Sequence, residues 1–381
     1  MMSENSTINK TFLHLEKIND FFDYFDKWYL KQPLWGVFLF TAFYMLIILR
    51  FGEYGDFYYK IVSDPFHNTI NDPVQDWRIS DLGHTLVIYG INMALGAKIT
   101  YQHFLISELS LLTAALIGFV LLLRISQFRE ASAVAAFVAV ILTSPALGVA
   151  TEWIGDGDVL TLFCLLGVLA TPNIAVLAIA TFIGCLNHTA IFVLSTGFIL
   201  AARHVDHPAR VWRSALVFAV ACVLALAIKR EFFLINELHF GSRFGFYLWR
   251  GPWWFIRHAV KAAPIILWTA FGPGWLFVAV AMRHESKRFQ AIVAMYIFAV
   301  CFGINFFIED NTRVTAILAF PIMIECLRRA FAAGHQQSAP LQRWAATCMA
   351  LNALLPHPMI HCGGIIFPGQ HLLLLSLKYL S

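Results

Sequence analysis

Residues 152–201 read EWIGDGDVLTLFCLLGVLATPNIAVLAIATFIGCLNHTAIFVLSTGFILA. Past the opening acids the stretch is apolar to its end, broken only at Thr171-Pro172-Asn173 and at Asn187-His188. Each break is the size of a turn. The stretch therefore reads as three short, closely spaced membrane segments, 157–171, 173–186 and 188–202, shorter than the roughly 20 apolar residues of an isolated span. Outward from it the same pattern continues: Trp35–Phe51, 102–123, 131–151, 212–228, 258–281, 289–308, 314–331 and 344–356 are apolar and separated by polar turns. The expected fold class is all-α, a polytopic transmembrane helical bundle of about eleven spans. His371–Leu380 is apolar but too short to span, and is expected at the interface or against the bundle.

Composition agrees. The chain has 381 residues, 59% hydrophobic and 13% charged, with a mean hydropathy of +0.68; soluble domains carry about 25% charged residues. The net charge of +4 comes without a dense basic run, which excludes a nucleic-acid surface. Seven cysteines are scattered without CxxC spacing, so neither a disulfide framework nor a zinc site is expected. The domain plan is a cytoplasmic amphipathic segment, 1–33, with Phe12, Leu15, Ile18, Phe22 and Phe25 at helical spacing, then one transmembrane domain, 34–381, with an extracytoplasmic loop at 52–101. The first thirty residues are polar, so the first span itself is expected to direct insertion.

Lys and Arg in the short loops set the orientation. Lys27 and Lys31, Arg124 and Arg129, Arg203, Arg210 and Arg213, Arg283, Lys287 and Arg288, and Arg328, Arg329 and Arg343 fall on one side. That side is assigned to the cytoplasm of an inner membrane. The turns at 152–158 and 309–313 then face out. The outer loop 229–257 is an exception, with Lys229, Arg230, Arg243, Arg250 and Arg257; it asks for an anionic partner, and its Trp249, Trp253 and Trp254 suit the headgroup level.

Ionisable groups beside membrane spans are costly and mark functional sites. Glu53 and Asp56 follow the first span, in a long loop that also carries Asp64, His67, Asp72, Asp76, Asp81 and His84. An acid there is either a general base or a cation ligand, or else a solvated acid at a membrane end. Glu152, Asp156 and Asp158 crowd one turn; Asp156 or Asp158 is placed to cap the span that starts at Val159, which leaves the others for a site. His188 either bonds to neighbouring helices or contacts substrate. Asp310 and Arg313 either pair internally or offer a guanidinium fork to phosphate, with Arg243, Arg250, Arg257 and Lys261 to assist. His357 and His361 lie four apart, but Pro356 and Pro358 argue against a helix there and hence against a metal.

With these residues in view, the chain resembles the polytopic glycosyltransferases of the GT-C fold, most of all their small bacterial members, over about residues 35–330. An acid after the first helix is matched by Asp56 with Glu53. A Trp-x-Gly-x-x-Asp-type turn is matched by Trp153, Gly155 and Asp158, and an Asp-x-Thr-Arg-like turn before a proline-containing helix by Asp310, Thr312, Arg313 and Pro321. The large soluble C-terminal domain of many relatives is absent, and no Asp-x-Asp occurs in the first loop. The resemblance implies transfer of a sugar from a polyprenyl-phosphate-linked donor to a glycan or lipid-linked acceptor on the outer face. Asp56, with Glu53, would be the base. Arg313, Arg243, Arg250, Arg257 and Lys261 would bind phosphate, while Glu152, Asp156, Asp158 and His188 orient the acceptor or, with other acids, a divalent cation (Mg or Mn). Competing expectations are a transporter or flippase of a polyprenyl-linked or other anionic substrate, a membrane polysaccharide polymerase or acyltransferase, and an inactive scaffold subunit.

Overall fold

The structure is a computed structural model. It describes residues 50–52, 55–67, 78–96, 99–125, 145–171, 173–238, 243–308, 310–332, 358–361, 364–367 and 369–371, with isolated positions at 39, 42, 45, 46 and 377. The amphipathic segment 1–33, Glu53, most of the spans at 35–51 and 131–151, and the span at 344–356 lie outside the described residues.

The described residues are mostly helical. The loop 52–101 is not structureless: it holds α1 (Gly55–Ser63) and α2 (Arg78–Ala94), the latter interrupted at Asp81. Then come α3 (Tyr101–Ile125), α4 (Pro145–Glu152), α5 (Asp158–Ala170), α6 (Ile174–Asp206) and α7 (Pro208–Ile235). They are followed by α8 (Arg243–Arg250), α9 (Pro252–Phe271), α10 (Gly274–Arg283), α11 (Lys287–Phe298) and α12 (Asn311–Ala332). Two small antiparallel pairs complete the described fold. β1 (Arg50–Phe51) pairs with β4 (Gln370–His371), and β2 (Met359–His361) with β3 (Gly364–Ile366). Among the described residues three helices are long and apolar enough to cross a membrane, Ile174–Asp206, Val211–Ile235 and Lys287–Phe306, the first of them interrupted at His188; α9 and α10, which bend by 70°, make a fourth if taken together. The span expected at 258–281 is thus broken at Gly272-Pro273, and the one at 289–308 ends in a π turn, Ala299–Gly303, and a 3-10 turn, Ile304–Phe306.

Helix α6 is 33 residues long but leaves helical geometry at His188 (φ −110°, ψ 78°). Its contacts show that it doubles back there. Asn187 bonds to Gly157 and Thr161, at the start of α5. Residues on both flanks reach the other end of α5. Val176 and Ala180 lie against Gly167, and Arg203 donates to the carbonyls of Val168 and Leu169. Two arms, 174–187 and 189–206, therefore run antiparallel, with their tip at Asn187-His188. They are about 21 and 27 Å long at 1.5 Å per residue. Gly184 makes the closeness possible, because a Cβ there would run into the Phe192 ring of the other arm. The two segments expected from the sequence on either side of Asn187-His188 are these arms.

Helix α12 runs between two polar networks. Arg313 is in its first turn. About 24 Å further on, Arg328 and Arg329 join Glu325, Asp206 and Glu285, and Arg329 lies 3.8 Å over the Phe289 ring. Between the networks Ile317, Leu318, Phe320, Ile322 and Met323 are buried in the main apolar core. The basic loops at 203–206 and 328–329 thus meet at one end of the bundle, and the turns at 156–158 and 310–313 at the other.

Candidate functional site

The site is assembled at the helix ends. The turn Trp153–Gly157 links α4 to α5, and two of its glycines take positive φ, Gly155 at 99° and Gly157 at 70°. Gly157 is needed on both counts of conformation and space: a Cβ would meet the Asn187 amide at 3.0 Å and His84 Cβ at 3.1 Å. Gly157 is also the residue that caps α5, and it offers no side-chain bond. The expectation that Asp156 or Asp158 caps this helix is therefore not met. Asp158 is the first helical residue, and both carboxylates turn to Arg313 instead.

Arg313 enters from the first turn of α12. Its Nε donates to Asp158 Oδ2 at 2.7 Å and Nη2 to Asp158 Oδ1 at 3.2 Å, a fork-on-carboxylate contact. Nη1 pairs with Asp156, and also lies 3.6 Å from Asp310. All but Asp310 are buried, at 5% side-chain exposure or less. Asp81, at the interruption of α2, and Tyr58 of α1 bring a further acid and a phenol: both act on Asp156, and Tyr58 hydrogen-bonds to it. Burial, then the neighbouring Asp81 and Asp158, push the Asp156 carboxyl well above its ordinary range, against the pull of Arg313. Burial is the larger cause, and a mismatch of charge adds to it. One guanidinium faces three close carboxyls, so the cluster favours holding a proton.

A second buried pair adjoins it. His84 Nε2 lies 2.7 Å from Glu108 Oε1, each 1% exposed. Burial alone would depress the imidazole, but the charge and hydrogen bond of Glu108 raise it above its usual value. Asn187, fully buried, ties the parts together. It accepts from the His84 backbone N–H at 3.0 Å and donates to Gly157 O at 2.7 Å and Thr161 Oγ1 at 2.9 Å. Its own carbonyl accepts from Lys229 Nζ of α7 at 3.2 Å. A helix arm ending at residue 187 leaves carbonyls without intrahelical partners, and a lysine ammonium satisfies one where the helix dipole is negative.

Of the residues expected from the sequence, Asp156, Asp158, Asp310 and Arg313 meet directly. His188 sits at the α6 tip, 8% exposed. Glu152 ends α4, and its carboxylate accepts from the Gly369 N–H at 2.6 Å beside the β1–β4 pair. Asp56 is in the first turn of α1, two residues before Tyr58; its side chain, like that of Arg243, lies outside the described residues. Arg250, Arg257 and Lys261 are exposed and do not join the buried cluster. Arg250 lies 5.5 Å from the Trp249 ring and 5.3 Å from the Trp254 ring, and Trp254 stacks on His258 at 5.1 Å. Arg257 and Lys261 line an open groove on α9 with Trp253, Ile256 and Val260. Among the described residues no group of three His, Cys, Asp or Glu side chains is arranged to hold a metal ion.

Sequence reasoning did not assign Tyr58 or Glu108 to the site; it named Asn187 only beside His188, and Lys229 only in the outer basic cluster. Two of these carried a signal. Glu108 is a lone acid in an apolar segment and Lys229 a cation at the end of another, and both are costly there. Tyr58 had none, because a tyrosine beside a membrane end is ordinary. No family model matches the chain, and neither a curated protein nor a solved structure matches it.

Proposed function

We propose that the protein is a membrane glycosyltransferase that moves a sugar from a polyprenyl-phosphate-linked donor to an acceptor hydroxyl on the extracytoplasmic side. The observation that carries this reading is the buried cluster of Asp81, Asp156, Asp158, Tyr58 and Arg313 at one end of the bundle. Proton-accepting groups held in a dry, preorganised site are what activation of a hydroxyl needs. In this scheme the acceptor O–H attacks the anomeric carbon, its proton passes to a carboxylate, and the lipid phosphate leaves. Asp56 remains the base we favour; its helix abuts the cluster through Tyr58. The role of Arg313 shifts. Its fork already grips Asp158 and Asp156, so it positions the acids, and the leaving phosphate falls to the exposed Arg257 and Lys261 on α9.

A second reading, a proton-coupled transporter of an anionic substrate, is favoured by the broken helices: the α6 tip, the 70° bend between α9 and α10 and the π turn after α11. One pair of assays separates the two. Purified protein in nanodiscs is given radiolabelled polyprenyl-phosphate hexose and a membrane glycan extract, and release of polyprenyl phosphate is followed. Transfer by the wild type, with a fall of about 10²–10⁴-fold in Asp56→Asn, supports the transferase. No transfer, together with proton-dependent substrate flux into proteoliposomes, replaces it with the transporter.

A further inference from the structure

Two cysteines outside the carboxylate site stand together. Cys185 is on the first arm of α6, two residues before Asn187, and Cys222 is on α7; their Sγ atoms are 3.3 Å apart. Cys185 is fully buried and Cys222 is 9% exposed. The contact is in register with its surroundings. Two turns further along α7, Lys229 holds the carbonyl of Asn187, so the thiol pair and the lysine clamp fasten the same pair of helices side by side. By contrast Cys326, on α12, has a thioether neighbour, Met282 Sδ at 3.9 Å.

We propose that Cys185 and Cys222 form an oxidisable dithiol, a site at which a lipophilic two-electron oxidant of the quinone class closes a disulfide inside the membrane. Both S–H bonds break and one S–S bond forms. The two protons and two electrons pass to the quinone, which leaves as quinol. The sulfurs need to close by about 1.3 Å to reach the 2.05 Å of a disulfide, within the reach of small χ1 changes. Access comes from the lipid. Helix α7 is the peripheral partner, and Val223 and Leu226 beside Cys222 are 65% and 46% exposed. An apolar oxidant approaches over that face. Once closed, the link ties the arm that carries Asn187 to α7, and through Asn187 it restrains α2 and α5, which the same side chain holds. The proposal does not depend on which reaction the carboxylate site performs.

The test uses the full chain in nanodiscs, treated with decylubiquinone, then denatured, alkylated and digested for mass spectrometry. The expected result is loss of two of the seven alkylatable thiols, a cross-linked peptide joining Cys185 to Cys222, and full recovery with dithiothreitol. Cys185→Ser and, separately, Cys222→Ser should each abolish the cross-link and leave the partner alkylatable. Phenylarsine oxide, which bridges two close thiols, should protect the pair. Seven alkylated thiols after quinone treatment of the folded protein, or cross-links spread among the other cysteines, would overturn the proposal.

Discussion

Replacing Arg313 by Gln removes the one guanidinium from a pocket in which Asp156 and Asp158 are each at most 1% exposed. Both acids then stay buried with no cation in contact. Breaking a buried pair from one side costs about 3–5 kcal/mol. At about 1.4 kcal/mol per tenfold, that is roughly a thousandfold in the folded-to-unfolded ratio, a large part of a stability that is about 5–15 kcal/mol for typical domains. The same geometry predicts an asymmetry. A protein that also carries Asp156→Asn and Asp158→Asn no longer strands the two carboxylates that Arg313 contacts most closely, so the triple variant should recover at least half of the loss. Arg313→Lys should fall between, since a point charge reaches one carboxylate or the other but lacks the fork that takes both oxygens of Asp158. Reversible unfolding in mixed micelles at pH 7, with the same denaturant slope for each variant, measures all three. A single variant that costs under about 1 kcal/mol, or a triple variant as unstable as the sum of its parts, would refute the view that these acids depend on Arg313.

Further outcomes follow from other contacts. Asn187→Ala removes three side-chain hydrogen bonds to buried partners on α2 and α5, and should cost about 3 kcal/mol in the same unfolding assay. Gly184→Ala should destabilise by about 1–3 kcal/mol through overpacking against Phe192, and Phe192→Leu in the same chain should restore most of it; equal stability of Gly184→Ala and wild type would count against the folded-back α6. The raised groups give a pH dependence of one sign. Asp156 in the folded state keeps its proton above the ordinary 3.8, and His84 above 6.5, so in both windows the folded state binds more protons than the unfolded chain and stability falls as pH rises. Asp156→Asn should flatten the lower window, and in ¹⁵N-histidine NMR Glu108→Gln should lower the titration midpoint of His84; an unchanged midpoint would contradict the pair.

The legible part of this fold is its apolar rhythm. The break at Asn187-His188 marks a real chain reversal and that at 152–158 a real turn between helices, because a polar residue in an apolar run is tolerated mainly where the helix stops or bonds to a neighbour. Pairing between distant segments was partly legible: acids and arginines at loop positions on one face had to find partners, and Arg313 found Asp156 and Asp158 across more than 150 positions of sequence. The capping reading of the 152–158 turn failed for the same reason. A buried guanidinium holds a carboxylate more strongly than a backbone N–H does, and Gly157, with its positive φ, ends the turn without any side chain. The bend at Gly272-Pro273 was signalled by the residues that make it, but lay hidden within one hydrophobic run. What the sequence did not disclose is the hub. Asn187 looked like an accessory to His188, yet its amide makes the bonds, and only three-dimensional proximity to Gly157 reveals why.

The placement of the charges also limits what the site can be. Arg313, Asp158 and Asn187 sit at the starts of α12 and α5 and at the tip of α6, and not midway along straight helices. Helix α5 is therefore free to be apolar over the rest of its length, as it is from Leu162 onward. A charged site built midway through a bundle must instead neutralise every group against its neighbours and open only by moving whole helices. Here the acids outnumber their guanidinium, burial and the neighbouring acids raise the Asp156 carboxyl against the pull of Arg313, and the exposed cations Arg257 and Lys261 stand apart on α9. That separation keeps an anion-attracting surface away from the proton-accepting cluster, where a bound phosphate would be repelled by Asp81, Asp156 and Asp158.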